Sequence, residues 1–363
     1  MSWPSLLLTA GATFLAGLFY LFWYFRWESR NTEGVAYFGR TLKERRALKR
    51  RIRLMSLPAL PMAHLLSPLA RRQKGLPSFE YGGVHGPMKA SSPEVFAQAK
   101  GYTPRPEDIF VATQMRCGTT WMQQIVYQII THGAGDFTDS GIRHLNTLSP
   151  WIDATNTVTM AAAPLAGTPP ARIVKTHLPA ELCPYSPDAR YVYVARHPVS
   201  CFASIMDFNR TMLGPFLPPV DTMADWFCSD RMYWLPWPRH VEGWWRLSRE
   251  RSNVLFVHFE EMNRDFGGVL DRITAFLGRT LTQDERARVI ERCTFKYMKD
   301  REEWFEMAPP TMFSVAGGAF MASGSEKRHE DVTPAVRDRI LAYCRAAAAR
   351  GTYPAARFYG DLA

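Results

Sequence analysis

The chain opens on a long apolar run and then alternates short apolar blocks with segments of helical period. Leu6 opens and Phe25 closes twenty uncharged residues, LLLTAGATFLAGLFYLFWYF, with Tyr20, Trp23, Tyr24 and Trp27 gathered at the C-terminal end. As a helix, residues 6–25 reach about 30 Å, enough to cross a bilayer, and the aromatics sit like an interfacial belt. Residues 40–53, RTLKERRALKRRIR, read as a basic amphipathic helix with Leu42, Leu48 and Ile52 as its apolar edge. Residues 57–69 are apolar but hold Pro58, Pro61 and Pro68, which suits an interfacial segment or a flap on the substrate side.

Beyond a lead-in rich in glycine, proline and small residues (77–106), the pattern changes to strand and helix in turn. Ile109, Phe110, Val111 and Ala112 form an apolar block expected of a buried strand. Ile173 and Val174, then residues 190–196 (RYVYVAR) and 253–258 (NVLFVH), predict three more strands. Met122, Ile125, Val126, Ile129 and Ile130 repeat at helical spacing, and residues 198–209, 266–277, 282–292 and 334–350 also read as helices. Gly278 and Gly351 are stop signals. This alternation predicts an α/β architecture around a parallel sheet. The expected division is a transmembrane anchor (1–27), a basic juxtamembrane segment (28–76) and a catalytic domain (77–363).

Composition sharpens this reading. The 363 residues are 47% hydrophobic, enough for one large α/β core or two smaller ones. The formal charge of +10 is concentrated in residues 26–74, which implies a local anionic partner. No Lys or Arg precedes the apolar run, and the run ends in aromatics, so an uncleaved anchor is expected rather than a signal peptide. The positive-inside rule then places the remainder of this single-pass chain in the cytoplasm. Each cation of residues 40–53 near an anionic leaflet adds about 1 kcal/mol. The same stretch would suit nucleic acid, but no base-reading module accompanies it and no nucleic-acid partner is expected. The six cysteines (117, 183, 201, 228, 293 and 344) have no C-x-x-C spacing, which argues against a zinc site or disulfide framework and suits a reducing compartment. No metal is expected.

Three stretches carry candidate chemistry. In residues 108–121, DIFVATQMRCGTTW, a strand leads through Arg116, Cys117 and Gly118 into a helix opened by Thr119, Thr120 and Trp121. Free helix-initial N–H groups and the helix dipole make such a turn a phosphate site. It is not a Walker A loop, which needs G-x-x-x-x-G-K-[ST]. Lys175, Thr176 and His177 stand at the end of the second strand, the edge where open parallel sheets bind ligands. Arg196 ends the third strand, and Ser204 lies eight residues on, in a helix opened by Pro198.

Taken in order, these motifs resemble the sulfotransferases that use 3′-phosphoadenylyl sulfate. Residues 116–121 resemble the family's 5′-phosphosulfate loop, Pro-Lys-Ser-Gly-Thr-Thr-Trp, with Met115-Arg116-Cys117 in place of the first three residues. Lys175-Thr176-His177-Leu178-Pro179 matches the segment supplying the catalytic histidine, and Arg196 with Ser204 matches the grip on the 3′-phosphate. Glu260, Glu261 and Met262 stand where the family has Tyr-Glu-Asp-Met, with Phe259 at the tyrosine position. Of the family's last nucleotide loop only Ser323, Gly324, Lys327 and Arg328 remain, within residues 316–331. The resemblance covers roughly residues 108–340. It implies a three-layer α/β/α sandwich and transfer of a sulfuryl group, with His177 as base and Arg116 and Lys175 stabilising charge. It also implies backbone and hydroxyl contacts from Arg116, Cys117, Gly118, Thr119 and Thr120 to the 5′-phosphate, and Trp121 against the adenine. Arginine stays protonated, so Arg116 can hold an oxyanion but cannot donate a proton. An amphipathic, lipid-like acceptor is expected beside the membrane, with residues 214–245 lining its apolar contacts. The alternatives are a P-loop kinase, against which the missing Gly-Lys-[Ser/Thr] speaks, and an inactive membrane-anchored scaffold of the same fold.

Overall fold

The computed structural model describes residues 2–316 and 332–363. Its centre is a four-stranded parallel sheet of β3 (Asp108–Thr113), β4 (Arg172–Thr176), β5 (Arg190–Ala195) and β6 (Val254–His258), in the order β4-β3-β5-β6. These are the four predicted strands. Helices cover both faces, so alternate strand residues enter two separate cores. Phe110, Val174, Tyr191 and Tyr193 face one core, with the helices Pro198–Leu213, Trp237–Glu250 and Pro334–Ala348. Val111, Ile173, Val192 and Val257 face the other, with Thr119–Ile130, Phe266–Phe276 and Gln283–Arg292. Burial on both faces is why the strands read as unbroken apolar blocks rather than alternating ones. The fold is the three-layer α/β/α sandwich.

Residues 77–106 are more ordered than a lead-in. They contain the antiparallel hairpin β1 (Ser78–Tyr81) and β2 (Val84–Pro87) and the helix Pro93–Lys100. Gly82 and Gly83 both have positive φ (57° and 76°), the backbone a tight two-residue hairpin turn requires. Ser92 caps the helix by accepting from Val95 N, with proline next in line. Residues 214–245 resolve into a short 3-10 turn (Gly214–Phe216) and the helices Val220–Phe227 and Trp237–Glu250. Their Trp226, Trp234, Trp237 and Trp244 are buried in the core.

The N-terminal region is built onto this sandwich. One continuous helix spans Trp3–Thr32 and is long and apolar enough to cross a membrane. Residues 2–16 are exposed on every side, whereas Leu21, Tyr24 and Glu28 are buried. Glu28 Oε2 accepts from Tyr24 Oη (2.6 Å) and from the backbone N–H of Met312 (2.8 Å). The basic helix runs Leu42–Ser56 and starts from a Thr41/Glu44 capping box. Leu48 and Ile52 are buried with Tyr37 and Phe38, as the pattern implied, and Leu42 is half-buried. Three of its cations pair with the acidic residues Glu303 and Glu306. Arg46 Nε donates to Glu303 Oε2 (2.9 Å), Lys49 pairs with Glu306, and the buried Arg45 lies 3.8 Å from the Glu306 carboxylate. Tyr37 Oη donates to the same carboxylate (2.7 Å). Arg50, Arg51 and Arg53 remain outward and exposed.

Removing one partner of a buried pair strands the other charge, which costs about 3–5 kcal/mol, while exposed pairs contribute under about 1 kcal/mol. Glu306→Ala, which leaves Arg45 buried without its carboxylate, should therefore destabilise the fold by about 3–5 kcal/mol. Arg46→Ala, whose side chain is 59% exposed, should cost under about 1 kcal/mol. Denaturant unfolding of both variants measures the contrast, and equal losses would show that the buried cluster is not a structural tie.

Candidate active site

The loop after β3 is shaped by two left-handed residues. Gly118 has φ 98°, and a Cβ there would lie 2.8 Å from Cδ2 of Phe259, so both conformation and packing require glycine. Arg116 also has positive φ (65°), an uncommon state for a residue with a side chain, of the kind held by its surroundings at functional sites. Its Nε donates to Ser204 Oγ (3.1 Å), its guanidinium lies 5.0 Å from the Phe208 ring, and a further N–H meets the sulfur of Met307. The helix Thr119–Ile130 begins at Gly118 with no side-chain cap. Thr119 is occupied instead with Thr113, Oγ1 to Oγ1 2.6 Å. Thr120 is half-buried. The Cys117 thiol is fully buried, and burial pushes its pKa well up. A buried, protonated thiol is an inert side chain.

His177 stands beside this loop. Its Nδ1 is 2.8 Å from the carbonyl oxygen of Thr113, which can only accept, so Nδ1 carries the proton and Nε2 the lone pair. Burial, reinforced by the charge of Lys175, holds its pKa well below the ordinary histidine value. The ring packs between Trp151 (edge-on, centroids 5.1 Å) and Trp234 (4.8 Å). Its carbonyl accepts from His240 Nε2 (2.9 Å), which leaves His240 Nδ1 to accept from Tyr193 Oη (2.8 Å). Lys175 is buried, with Nζ 3.6 Å from the Trp151 ring centroid. Burial pushes its pKa down to about 7, with Asp153 pulling the other way and Arg116 adding to the fall.

Asp153 and His240 carry no motif and escaped sequence reasoning. Asp153 is fully buried; its Oδ1 accepts from Thr176 Oγ1 (2.8 Å) and from the backbone N–H of His177 (3.2 Å). Burial raises its pKa above the ordinary carboxylate value. The available signal was an acidic residue in an otherwise apolar loop, 149–153; its partner lies 23 positions on.

Arg196 is buried at the end of β5. It donates to the carbonyl of Arg116 (3.1 Å) and lies 4.3 Å from the Phe259 ring centroid. Phe259 thus serves as a platform for the guanidinium, packing as well against Trp121 (5.6 Å). Trp121 is fixed by Nε1 donating to the Cys293 carbonyl (2.8 Å) and is stacked on Phe266 (5.6 Å). The structure therefore brings Arg116, Ser204, Arg196, Lys175 and His177 to the C-terminal edge of the sheet. Ser323, Gly324, Lys327 and Arg328 lie outside the described residues. Among the described residues, no group of three or more His, Cys, Asp or Glu is placed to hold a metal ion.

Comparison with known proteins bears on the family and the fold. Residues 106–352 match the family model of the sulfotransferase domain. The chain is similar to sulfotransferase 1C2 of Rattus norvegicus, 28% identical over 242 residues, 65% of this chain and 79% of the relative. It is 27% identical over 254 residues to the 3-alpha-hydroxysteroid sulfotransferase of Cavia porcellus, covering 69% of this chain and 85% of the relative. In fold it is similar to mouse sulfotransferase SULT7A1 complexed with PAP, with a TM-score of 0.60, 21% identity, and coverage of 79% of this chain and 99% of that one.

The buried, proton-holding thiol gives a direct test of the loop. Cys117 should stay unmodified by iodoacetamide at neutral pH until denaturant opens the fold, as mass spectrometry would read. Rapid alkylation of the native protein would contradict the burial of this residue.

Proposed function

The chain belongs to the sulfotransferase family and is a sulfotransferase, and on that premise we propose that it carries a sulfuryl group from 3′-phosphoadenylyl sulfate to a hydroxyl or amine of an amphipathic acceptor, with His177 as the base. One observation carries this reading: the protonated Nδ1 of His177 is tied to Thr113 at the root of the phosphate-type loop. That leaves a neutral imidazole with its Nε2 lone pair for the acceptor's proton. The donor supplies the sulfuryl group and a stable leaving phosphate. The sulfur–oxygen bond to that phosphate breaks as the bond to the acceptor oxygen forms, and the acceptor's proton passes to His177.

The remaining groups suit a polyanionic donor. Arg196 and Ser204 are the proposed hold on the 3′-phosphate. The uncapped helix start at Gly118, with Cys117 and Thr119 in the same turn and the Thr120 hydroxyl, is the proposed 5′-phosphate cradle. Trp121 is the proposed adenine contact. Arg116 offers a fixed positive charge beside Ser204, and Lys175, with a pKa near 7, a charge that can also release a proton. Cations placed where charge develops are the main device of the analogous phosphoryl transfers. The solved mouse neighbour contains PAP, which supports this donor. The relative named for 3-alpha-hydroxysteroids supports an apolar alcohol as acceptor.

We also read residues 1–27 as a membrane anchor, residues 28–76 as its basic connection, and residues 77–363 as a sulfotransferase domain on the cytoplasmic side. The apolar helix, with every Lys and Arg after it, supports this topology.

Labelled-donor transfer to a panel of alcohols and amines tests the activity. His177→Ala should lower turnover about 10²–10⁴-fold while binding of 3′-phosphoadenosine 5′-phosphate persists. Near-normal turnover would remove His177 from the mechanism. Arg196→Ala should weaken binding of that nucleotide by about 2–5 kcal/mol and of its 3′-hydroxyl counterpart far less. Calorimetry with the two ligands reads the difference; equal losses would show that Arg196 does not read the 3′-phosphate.

A further inference from the structure

Residues 57–69 have an unusual surface. The helix Leu60–Ala70 contains no Asp, Glu, Lys or Arg. Met62, Ala63 and Ser67 form its buried side. The other side, Pro61, His64, Leu65, Pro68 and Leu69, is exposed, with Leu65 at 60% and Leu69 at 62%. Leu54 and Leu57, just before the helix, are also exposed. An uncharged helix whose exposed side is mostly apolar belongs in a core or in lipid.

Its position decides between the two. Ala59, Met62 and Ala63 form one cluster with Leu21 and Tyr24 of the N-terminal helix and with Met312; Phe216 and Phe313 pack at its margin. Tyr20 Oη donates to the carbonyl of Met55 (2.9 Å), and Gly17 admits the side chain of Met62. The helix is therefore fixed to the second half of the apolar run, residues 17–24. Among the described residues, the part of the N-terminal helix exposed throughout is residues 2–16. At 1.5 Å per residue that is roughly 22 Å, short of the ~30 Å hydrocarbon core. When the whole of residues 6–25 lies in hydrocarbon, whatever packs on residues 17–24 meets the lipid as well. An open groove of 540 Å³ between the two helices, with Phe14, Met62 and Leu65 in its lining, continues the same apolar surface.

The charges around the helix match an anionic surface. Arg50 and Arg53 precede it, and Arg71, Arg72 and Lys74 follow it, all exposed. No Asp or Glu occurs between Glu44 and Glu80. Cations at both ends of an apolar face are the pattern of an interfacial helix, whose apolar face sinks about 5–10 Å below the headgroups.

We propose that Leu60–Ala70 is a second membrane element, lying in the headgroup–acyl boundary of an anionic leaflet with Leu65 and Leu69 in hydrocarbon and the flanking cations at lipid phosphates. The proposal rests on the reading of residues 6–25 as a membrane anchor. The enzyme is then seated on the bilayer by two elements rather than tethered by one. The seat also brings Phe216 and Phe313 to the lipid. Phe313 lies on the segment that carries Met307 against Arg116, so an amphipathic acceptor meets this edge of the protein directly from the leaflet.

The test uses the full chain in vesicles of phosphatidylcholine and phosphatidylserine. Single cysteines replace Phe14, Leu65, Leu69 or Met88 (Phe14→Cys, Leu65→Cys, Leu69→Cys, Met88→Cys) in a Cys228→Ser background, each carrying an environment-sensitive fluorophore. Brominated acyl chains should quench the labels at positions 14, 65 and 69 and spare the label at the exposed domain position 88. Quenching at 14 without quenching at 65 and 69 overturns the proposal and leaves the anchor standing. Absence of quenching at 14 overturns the anchor reading itself. Blue-shifted but unquenched labels at 65 and 69, with crosslinked dimers, would show that a second copy covers this face and would also overturn it. Omitting phosphatidylserine should reduce quenching at 65 and 69 and leave that at 14; equal quenching in both lipids overturns the role given to the flanking cations.

Discussion

The site hangs on a difference of one residue between neighbouring strands. β3 pairs with β4 as far as Ala112 opposite Thr176, and with β5 as far as Thr113 opposite Val194. At Thr113 the ladder toward β4 has ended, and the carbonyl there accepts from the ring of His177, the first residue beyond β4. A buried carbonyl must find a donor, and here the donor fixes the tautomer of a histidine. The same Thr113 holds the hydroxyl of Thr119 at the start of the following helix. Sheet register, histidine orientation and loop geometry are thus set at one residue.

Burial then sets the charges. Lys175 and His177 are both pushed toward their neutral forms by desolvation, and Arg116 adds to the effect on each. Asp153 opposes it for Lys175 and ties Thr176 and the backbone of His177 in place. On the proposed reading, a polyanionic donor brings further negative charge to Arg116, Arg196 and Lys175. Placing cations in a dry site before the ligand arrives is what makes them effective on charge that develops during reaction.

The segment between Glu302 and Val315 connects the N-terminal region to this chemistry. Glu303 and Glu306 hold the basic helix, Met307 touches Arg116, and the Met312 N–H is bound by Glu28 of the apolar helix. One face of the basic helix is therefore committed to the protein, and Arg50, Arg51 and Arg53 of that helix are exposed. A change in the N-terminal helices has a short physical route to the loop that carries Arg116.

The sequence by itself determined the sheet and the residues around which the site forms. Strands buried on both faces are apolar through most of their length, so 109–112, 173–174, 190–196 and 253–258 were visible without a partner in hand. The glycine turn into a helix at Gly118, and the polar cluster Lys175–His177 at a strand end, follow from local chemistry and were equally legible. Tertiary structure alone decided what depends on distant partners. Asp153 acquires its role from Thr176, and His240 from Tyr193 and His177. Phe259 looked like the loss of a hydroxyl and proved to be the surface on which Arg196 rests. Residues 40–53 read as a basic amphipathic helix, but the pairing of Arg45, Arg46 and Lys49 with Glu303 and Glu306, more than two hundred and fifty residues away, was not visible in it. Charge and apolar period are local properties of a chain, whereas which face of a helix meets protein and which is left for another partner is settled only when the chain folds back on itself.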